Sequence, residues 1–306
     1  MKPTASSAMV LMGDLMSGAN FWQGNFTARL WDGIPIAMKA ILFLLAVSII
    51  PAIAKLPQMS EKTDWLGYFV GWEGRNSDFG IGADAESSIC PRKSGKRHAT
   101  KKVMIHYLIE EKMKGRWVRR KFLEEGGLES KNEKGLNPKG PVVVTTTVTG
   151  GTKVEWTNVV ARGKVSIKPK VLEKKTENEI RVGVEFALPR LYRFDEKPEE
   201  RELKKKVGKD FVKATRLKDR KSVKVKFNEE DEKLDSEDNL AEGASEVEMQ
   251  SKAFLDLSFM VENGGTKVGR IDIQQKGPLY NSFRMTWMAD PEKVGEKDCY
   301  VTAWVE

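Results

Sequence analysis

The chain has 306 residues, of which 40% are hydrophobic and 31% are charged, and its formal net charge is +8. This length allows one large β domain or two small ones. Only two histidines are present, both in one short window, so the chain does not supply a histidine-rich catalytic zinc site.

Residues 38–54 have the pattern of a secretory signal peptide. Met38 and Lys39 provide a start and a positive charge, an apolar run follows, and Ala52 and Ala54 are the small residues that signal peptidase requires. The apolar run of about ten residues is too short to cross a bilayer, which takes roughly 20 residues. We therefore expect cleavage after Ala54 and export to the periplasm or the medium, with an uncleaved anchor as the alternative.

Residues 1–37 precede this pattern, and we interpret them as a mis-called start upstream of Met38 or as a disordered extension. The remaining segment, 55–306, is expected to form the exported β domain. After export, a basic surface meets acidic polysaccharides, other anionic cell-surface polymers or the outer face of a membrane. We therefore expect no nucleic acid partner, and no stable membrane span after cleavage. Solubility is the alternative explanation of the positive charge.

The two cysteines, Cys90 and Cys299, both lie in the exported part. An oxidising compartment lets a disulfide persist, so a Cys90–Cys299 bridge is one candidate and two separate thiols are the other. A nucleophilic thiol would need a histidine as its base, and no catalytic signature surrounds either cysteine. We therefore assign no catalytic cysteine.

Most of the exported part shows the two-residue alternation of β-strands. Residues 142–148 are almost entirely β-branched, and alternation resumes at 153–160 after two glycines, which indicates a hairpin. We predict an all-β, mainly antiparallel, β-sandwich-like fold of about a dozen strands. The other predicted strands are 66–72, 103–109, 165–172, 180–188, 223–227, 253–261, 268–273, 283–288 and 300–305.

One short helix near 198–215 is an open alternative. Leu203 and Val207 fall on one helical face after Pro198, a residue that suits a first helical turn. A strand hairpin fits residues 211–227 equally well.

The segment 229–248 holds ten acidic residues and one basic residue, with no aromatic residue. Such a stretch cannot bury enough apolar surface to fold, so we predict a loop or linker that separates two strands or two domains. The preceding segment, 197–226, holds thirteen bases and five acids, so the two blocks can neutralise each other. Calcium binding by Asp231, Asp235 and Asp238 is an alternative, but their spacing fits no EF-hand, and we predict no metal site.

Four carboxylates lie in one short segment beside Trp72: Glu73, Asp78, Asp84 and Glu86. Paired carboxylates next to an aromatic ring are what a glycosidase uses as acid and as nucleophile or base. The same spacing also fits a solvated loop between strands, or a loop that binds carbohydrate or metal. These four residues are the candidate acids of a hydrolase.

Two basic clusters follow these carboxylates. Residues 92–102 hold six lysines or arginines and no acid, and residues 112–121 hold six more around Trp117. Basic residues interleaved with an aromatic residue are typical of sites for phosphates or sulfated sugars, and also of protected strand edges. The ligand-binding candidates are Arg92, Lys93, Lys96, Arg97, Trp72 and Trp117.

Motifs of several common enzyme classes are missing from the sequence: there is no GxSxG elbow, HExxH, P-loop, CxxC or dinucleotide-binding glycine motif. We therefore expect no cofactor. The leading hypothesis is an exported, non-enzymatic protein that binds a polysaccharide, an anionic surface or an envelope partner. A carboxylate-based carbohydrate-active hydrolase is the first alternative, and a structural or scaffold subunit is the second.

Overall fold

The computed structural model describes residues 68–82, 85–124, 126–130, 135–194, 199–227, 240, 243–265, 268–274 and 283–306. Nineteen strands lie within these residues, almost all of them in antiparallel pairs. The predicted all-β, sandwich-like fold is therefore confirmed. The predicted signal peptide, 38–54, lies outside the described residues.

The strands are short and follow one another closely along the chain. In chain order they are β1 (Tyr68–Glu73), β2 (Ser77–Gly82), β3 (Ser87–Lys93), β4 (Lys96–Arg97), β5 (Val103–Met113), β6 (Arg116–Arg119), β7 (Leu128–Ser130), β8 (Gly135–Leu136), β9 (Val142–Thr147), β10 (Lys153–Ala161), β11 (Lys164–Glu173), β12 (Ile180–Ala187), β13 (Phe211–Arg216), β14 (Ser222–Lys226), β15 (Ala244–Ser251), β16 (Leu257–Asn263), β17 (Gly269–Gln274), β18 (Arg284–Ala289) and β19 (Val301–Val305). The count exceeds the dozen expected because strands of two or three residues, such as β4, β7 and β8, are too short to show a periodic pattern.

Two antiparallel layers are built from these strands. The first runs β1-β2-β3-β5-β12-β18-β17. The second runs β14-β13-β15-β16-β19-β11-β10-β9-β7. Within the described ladders, the pairing of Ala244 on β15 with Ile271 on β17 joins one layer to the other at a corner.

Aromatic side chains from the two layers meet in the core. The ring of Tyr107 on β5 lies 5.0 Å from that of Trp156 on β10, and Phe186 on β12 lies 5.9 Å from Phe259 on β16. Trp156 is fully buried, and its indole N–H donates a hydrogen bond to Oγ1 of Thr146 at 2.9 Å. Truncating a buried ring of this size costs about 3–5 kcal/mol, so these contacts hold the layers face to face.

Two segments that the sequence assigned to loops are strands. Residues 77–82 of the acidic segment form β2, and residues 244–248 of the longer acidic stretch belong to β15. In β15, Val247 and Met249 are buried while the alternating Glu246 and Glu248 are partly exposed, because successive side chains of a strand point to opposite faces. The ladders of β15 with β13 and β16 connect the chain before and after this stretch, so residues 244–248 do not separate two sheets. The calcium candidates lie outside the described residues.

The segment after residue 198 contains both of the structures that the sequence allowed, a short helix and a strand hairpin. Helix α1 (Glu200–Val207) has glutamates in its first turn and lysines in its last, which matches the helix dipole, and its Val207 is buried. The chain then turns and forms the β13–β14 hairpin. In the described part of the chain, no helix has the length and hydropathy needed to cross a membrane.

Candidate functional site

The hairpin register of β1 to β4 brings predicted acids and predicted arginines together. Asp78 on β2 is opposite Cys90 on β3, and Arg92, two residues further on, is opposite Arg97 on β4. Side chains two residues apart on a strand share one face, so Asp78 and both arginines lie on the same side. The sequence predicted these residues for two different functions, and the fold makes them neighbours.

The carboxylates in this cluster bind the guanidinium groups directly. Asp78 is fully buried, its Oδ1 lies 3.1 Å from Nη1 of Arg92, and its Oδ2 accepts a hydrogen bond from Nε of Arg97. Arg97 also places Nη2 at 2.6 Å from Oε1 of Glu73, and the backbone N–H of Gly74 donates to Asp78 Oδ1 at 3.2 Å. We call Glu73, Asp78, Arg92 and Arg97 the arginine network. Its geometry favours a structural role over acid–base catalysis or anion binding.

The other residues of these two predictions lie apart from the network. Glu86 is exposed just before β3, and Asp84 lies outside the described residues. The ammonium of Lys93 lies 3.3 Å from Asp256 Oδ2 and donates to the carbonyl of Leu255 at 2.6 Å. Lys96 is exposed on β4.

Trp72 is a core residue. It is only 7% exposed, its ring lies 5.3 Å from that of Phe79, and it lines a pocket of about 150 Å³. Val165 and Ala303 of the second layer line the same pocket, which places Trp72 between the layers. The ring therefore packs against the protein and presents little surface to a ligand.

The two cysteines are free thiols in the structure, and both are buried. Cys90 lies on β3, whose ladders are with β2, β4 and β5, whereas Cys299 lies just before β19, which pairs with β11 and β16. No ladder brings the two sulfurs together, so of the two candidates the structure has the separate thiols and not the Cys90–Cys299 bridge. Burial raises the pKa of Cys90, and burial together with Asp298 raises the pKa of Cys299 to about 11. Both thiols are therefore protonated at neutral pH, which disfavours nucleophilic chemistry.

Trp117 is the one predicted aromatic residue that lines a surface groove. Lys114 and Gly115 both have positive φ, of 50° and 78°, which is the conformation of a type I′ hairpin turn. This turn folds β6 back on β5, so that Trp117 is opposite Lys112. The ring lies beside Arg181 of β12, with 4.5 Å between the guanidinium carbon and the ring centroid.

The groove has a volume of about 410 Å³ and a mostly apolar lining. Leu217 and Pro291 contribute the apolar surface together with Trp117, and Met288, which is only 5% exposed, lines the groove wall. Met288 fills the space above Gly183, where an added Cβ would come within 2.4 Å of the Met288 sulfur. The missing side chain at Gly183 thus allows Met288 to form part of the groove wall.

Two arginine–carboxylate pairs flank the apolar surface. Arg181 Nε lies 2.6 Å from Oε2 of Glu110, and Arg270 Nε lies 3.2 Å from Oδ2 of Asp272. Burial raises the pKa of Asp272, although Arg270 opposes this shift. The groove therefore combines an aromatic ring, aliphatic groups and paired charges, which suits a ligand with both C–H surface and hydroxyl groups.

The residues that complete this groove were not predicted. Arg181, Leu217, Arg270 and Met288 come from four separate parts of the chain, and only the sheet order makes them neighbours. The one sequence signal was Trp117 within a basic cluster. Among the described residues, no group of three or more His, Cys, Asp or Glu side chains could hold a metal ion.

Comparison with known proteins gives distant likenesses only. No family model and no curated protein matches the sequence. The chain is similar to solved structures of the alpha-N-acetylgalactosaminidase NagBb from Bifidobacterium bifidum, with 10% identity and a TM-score of 0.44 for the GalNAc complex and 11% and 0.46 for the Gal-NHAc-DNJ complex. These alignments cover 77% of this chain and 35% of that chain, so this chain spans about a third of those structures. At this level the likeness carries no argument about function.

Proposed function

We propose that the protein is a non-enzymatic binding protein and that its groove at Trp117 binds a polysaccharide. The supporting observation is the groove itself, where the indole ring, Leu217 and Pro291 offer apolar surface beside the Arg181 and Arg270 ion pairs. Sugar rings have an apolar C–H face and a rim of hydroxyls, so this arrangement matches their two kinds of surface.

The hydrolase alternative has less support from the geometry. Glu73 and Asp78, two of its candidate acids, are bound to arginines, and Asp78 is fully buried. A catalytic pair must instead face the glycosidic bond from opposite sides. We therefore place the ligand at Trp117 and assign no catalytic residue.

The test is binding of the purified protein to a panel of polysaccharides, followed by a Trp117→Ala variant. We expect the variant to bind the best polysaccharide about tenfold more weakly, because removing a central aromatic side chain from a binding site typically costs a large part of its affinity. Isothermal titration calorimetry measures this change, and near-UV circular dichroism checks that the variant is folded.

Val118→Ala is the matched control, because Val118 is adjacent on β6, is 41% exposed and lies on the opposite face of the strand. This control should bind as tightly as the wild type. If the wild type binds no polysaccharide of the panel, or if Trp117→Ala binds as well as Val118→Ala, the proposed site is wrong.

We further propose that the protein is exported after cleavage behind Ala54, on the basis of the pattern in residues 38–54. Intact-mass measurement of the protein secreted by its native organism should show an N-terminus at Lys55. Detection of peptides from residues 1–37 in the mature protein would contradict both the cleavage and the proposed start at Met38.

A further inference from the structure

A pocket rich in lysines lies beside helix α1, away from the Trp117 groove. It has a volume of about 500 Å³, and no residue lines both sites. We call it the lysine pocket because five lysines line it: Lys204, Lys205, Lys206, Lys209 and Lys252. The first four come from α1 and the turn after it, and Lys252 follows strand β15. Five ammonium groups thus face two lining carboxylates, Asp210 and Asp256.

The two carboxylates of the pocket already have other partners. Asp210 is only 2% exposed, and its oxygens accept hydrogen bonds from the hydroxyls of Tyr192 and Ser251 and from the backbone N–H of Lys252. Asp256 lies 3.3 Å from the ammonium of Lys93 on β3. Neither carboxylate forms an ion pair with a lysine of the pocket among the described residues.

The lysines divide into two groups. Two of them form ion pairs with glutamates one turn earlier on α1. Nζ of Lys204 lies 2.5 Å from Oε1 of Glu200, and Nζ of Lys206 lies 2.7 Å from Oε1 of Glu202. Lys205, Lys209 and Lys252 are exposed and make no ion pair with any residue that the structure describes. Within the part of the chain that the structure describes, no carboxylate neutralises these three ammonium groups, which line one concave surface.

The chemistry of lysine indicates the kind of ligand. An ammonium is a compact, strongly hydrated point charge, and it lacks the planar fork with which arginine selects one carboxylate or phosphate geometry. Several lysines around a wide pocket therefore attract repeated anionic groups more than a single oriented ion. Such contacts release bound counterions and weaken as salt rises.

We propose that the lysine pocket binds the negatively charged groups of an anionic polysaccharide, at a site separate from the groove at Trp117. The sequence placed anion binding at Arg92, Lys93, Lys96 and Arg97. In the structure the two arginines are bound to Asp78, whereas Lys205, Lys209 and Lys252 have no ion pair among the described residues. The polymer contacts Lys205, Lys209 and Lys252 through its sulfate or carboxylate groups.

The experiment measures binding of the full chain to heparin, a sulfated polysaccharide, with a triple variant, Lys205→Ser, Lys209→Ser and Lys252→Ser. Because three exposed charge contacts are lost, the dissociation constant at low salt should rise about tenfold, and the protein should leave a heparin column at lower salt. The matched control replaces three other exposed lysines that have no described ion pair: Lys139→Ser, Lys170→Ser and Lys297→Ser. Both variants carry the same net charge.

Each outcome decides between explanations. A larger loss of heparin affinity in the pocket variant than in the control supports the site. Equal losses of affinity would show that net charge alone retains the protein on heparin, and would overturn the proposal. Binding to vesicles containing phosphatidylglycerol without binding to heparin would overturn the polysaccharide assignment. The pocket variant is expected to keep the wild-type affinity for an uncharged polysaccharide that binds at the Trp117 groove, since no residue lines both sites, so failure of the groove proposal and failure of this one are distinguishable. Unchanged urea midpoints confirm that all variants fold.

Discussion

Asp78 and Asp210 are both buried carboxylates beside a basic cluster, yet the two clusters differ in what they leave exposed. Asp78 is bound by Arg92 and Arg97, so charge is neutralised within the arginine network. Asp210 is bound by neutral hydroxyl and backbone donors, so its carboxylate is not paired with the neighbouring lysines. A run of basic residues in a sequence is therefore not by itself a binding surface.

The donor type explains this difference. A guanidinium presents several N–H donors in a rigid fork and is well suited to satisfy a buried carboxylate. Tyr192 and Ser251 satisfy Asp210 through hydrogen bonds without adding positive charge. Two predictions test this comparison at its two carboxylates.

The larger expected effect is at Asp78. Asp78→Asn removes the buried carboxylate that both guanidinium groups bind, although Glu73 stays near both of them. Breaking a buried ion pair from one side costs about 3–5 kcal/mol. We expect about 3 kcal/mol, the lower end, because the side chains of Arg92 and Arg97 are 20% and 18% exposed and can be partly hydrated. Urea unfolding measures this loss.

The control for this prediction is Asp219→Asn, since Asp219 forms an ion pair with Arg216 at the surface. A surface pair is solvated in both states, so its removal should change stability far less. If Asp78→Asn loses no more stability than Asp219→Asn, the arginine network is not a structural element. Heparin affinity should stay unchanged in Asp78→Asn if the arginines are not a ligand site.

The fold was predictable where apolar and polar residues alternate regularly along a strand over several residues. The hairpin of β9 and β10 was predicted almost to the residue, because Val142 to Val144 are β-branched and Val154, Trp156 and Asn158 alternate inward. β2 was missed because its sequence, SDFGIG, contains two glycines and is buried on both faces. A strand buried on both faces shows no alternation.

The sites were less predictable because they depend on contacts between distant parts of the chain. The arginine network needs the register that places Asp78 opposite Cys90, and no pattern in the sequence specifies a register between short strands. The lysine pocket combines residues of α1 with Lys252, which lies beyond the acidic stretch. Composition alone indicated that the basic and acidic blocks neutralise each other, and this stays a prediction because most of the acidic block lies outside the described residues.

The smaller expected effect is at Tyr192, which donates a hydrogen bond to Asp210. Tyr192→Phe removes one donor from a buried carboxylate, and we expect a loss of about 1–2 kcal/mol near pH 7. Burial, followed by the hydrogen bond to Asp210, raises the pKa of Tyr192 to about 12. An unfolded tyrosine ionises near pH 10, so the unfolded state binds fewer protons than the native state between pH 10 and 12. The stabilising contribution of Tyr192 is therefore complete below pH 10 and is lost as the pH rises towards 12.

The free energy of unfolding, measured between pH 8 and 12, should thus fall less steeply in Tyr192→Phe than in the wild type. Tyr107, whose pKa burial also raises to about 12, is present in both proteins, so only the difference between the two curves reports on Tyr192. Asp78→Asn should keep the slope of the wild type, because arginine does not titrate in this range. Parallel curves for Tyr192→Phe and the wild type would mean that Tyr192 does not donate a hydrogen bond to Asp210 in solution. The claim that neutral donors satisfy Asp210 would then be wrong.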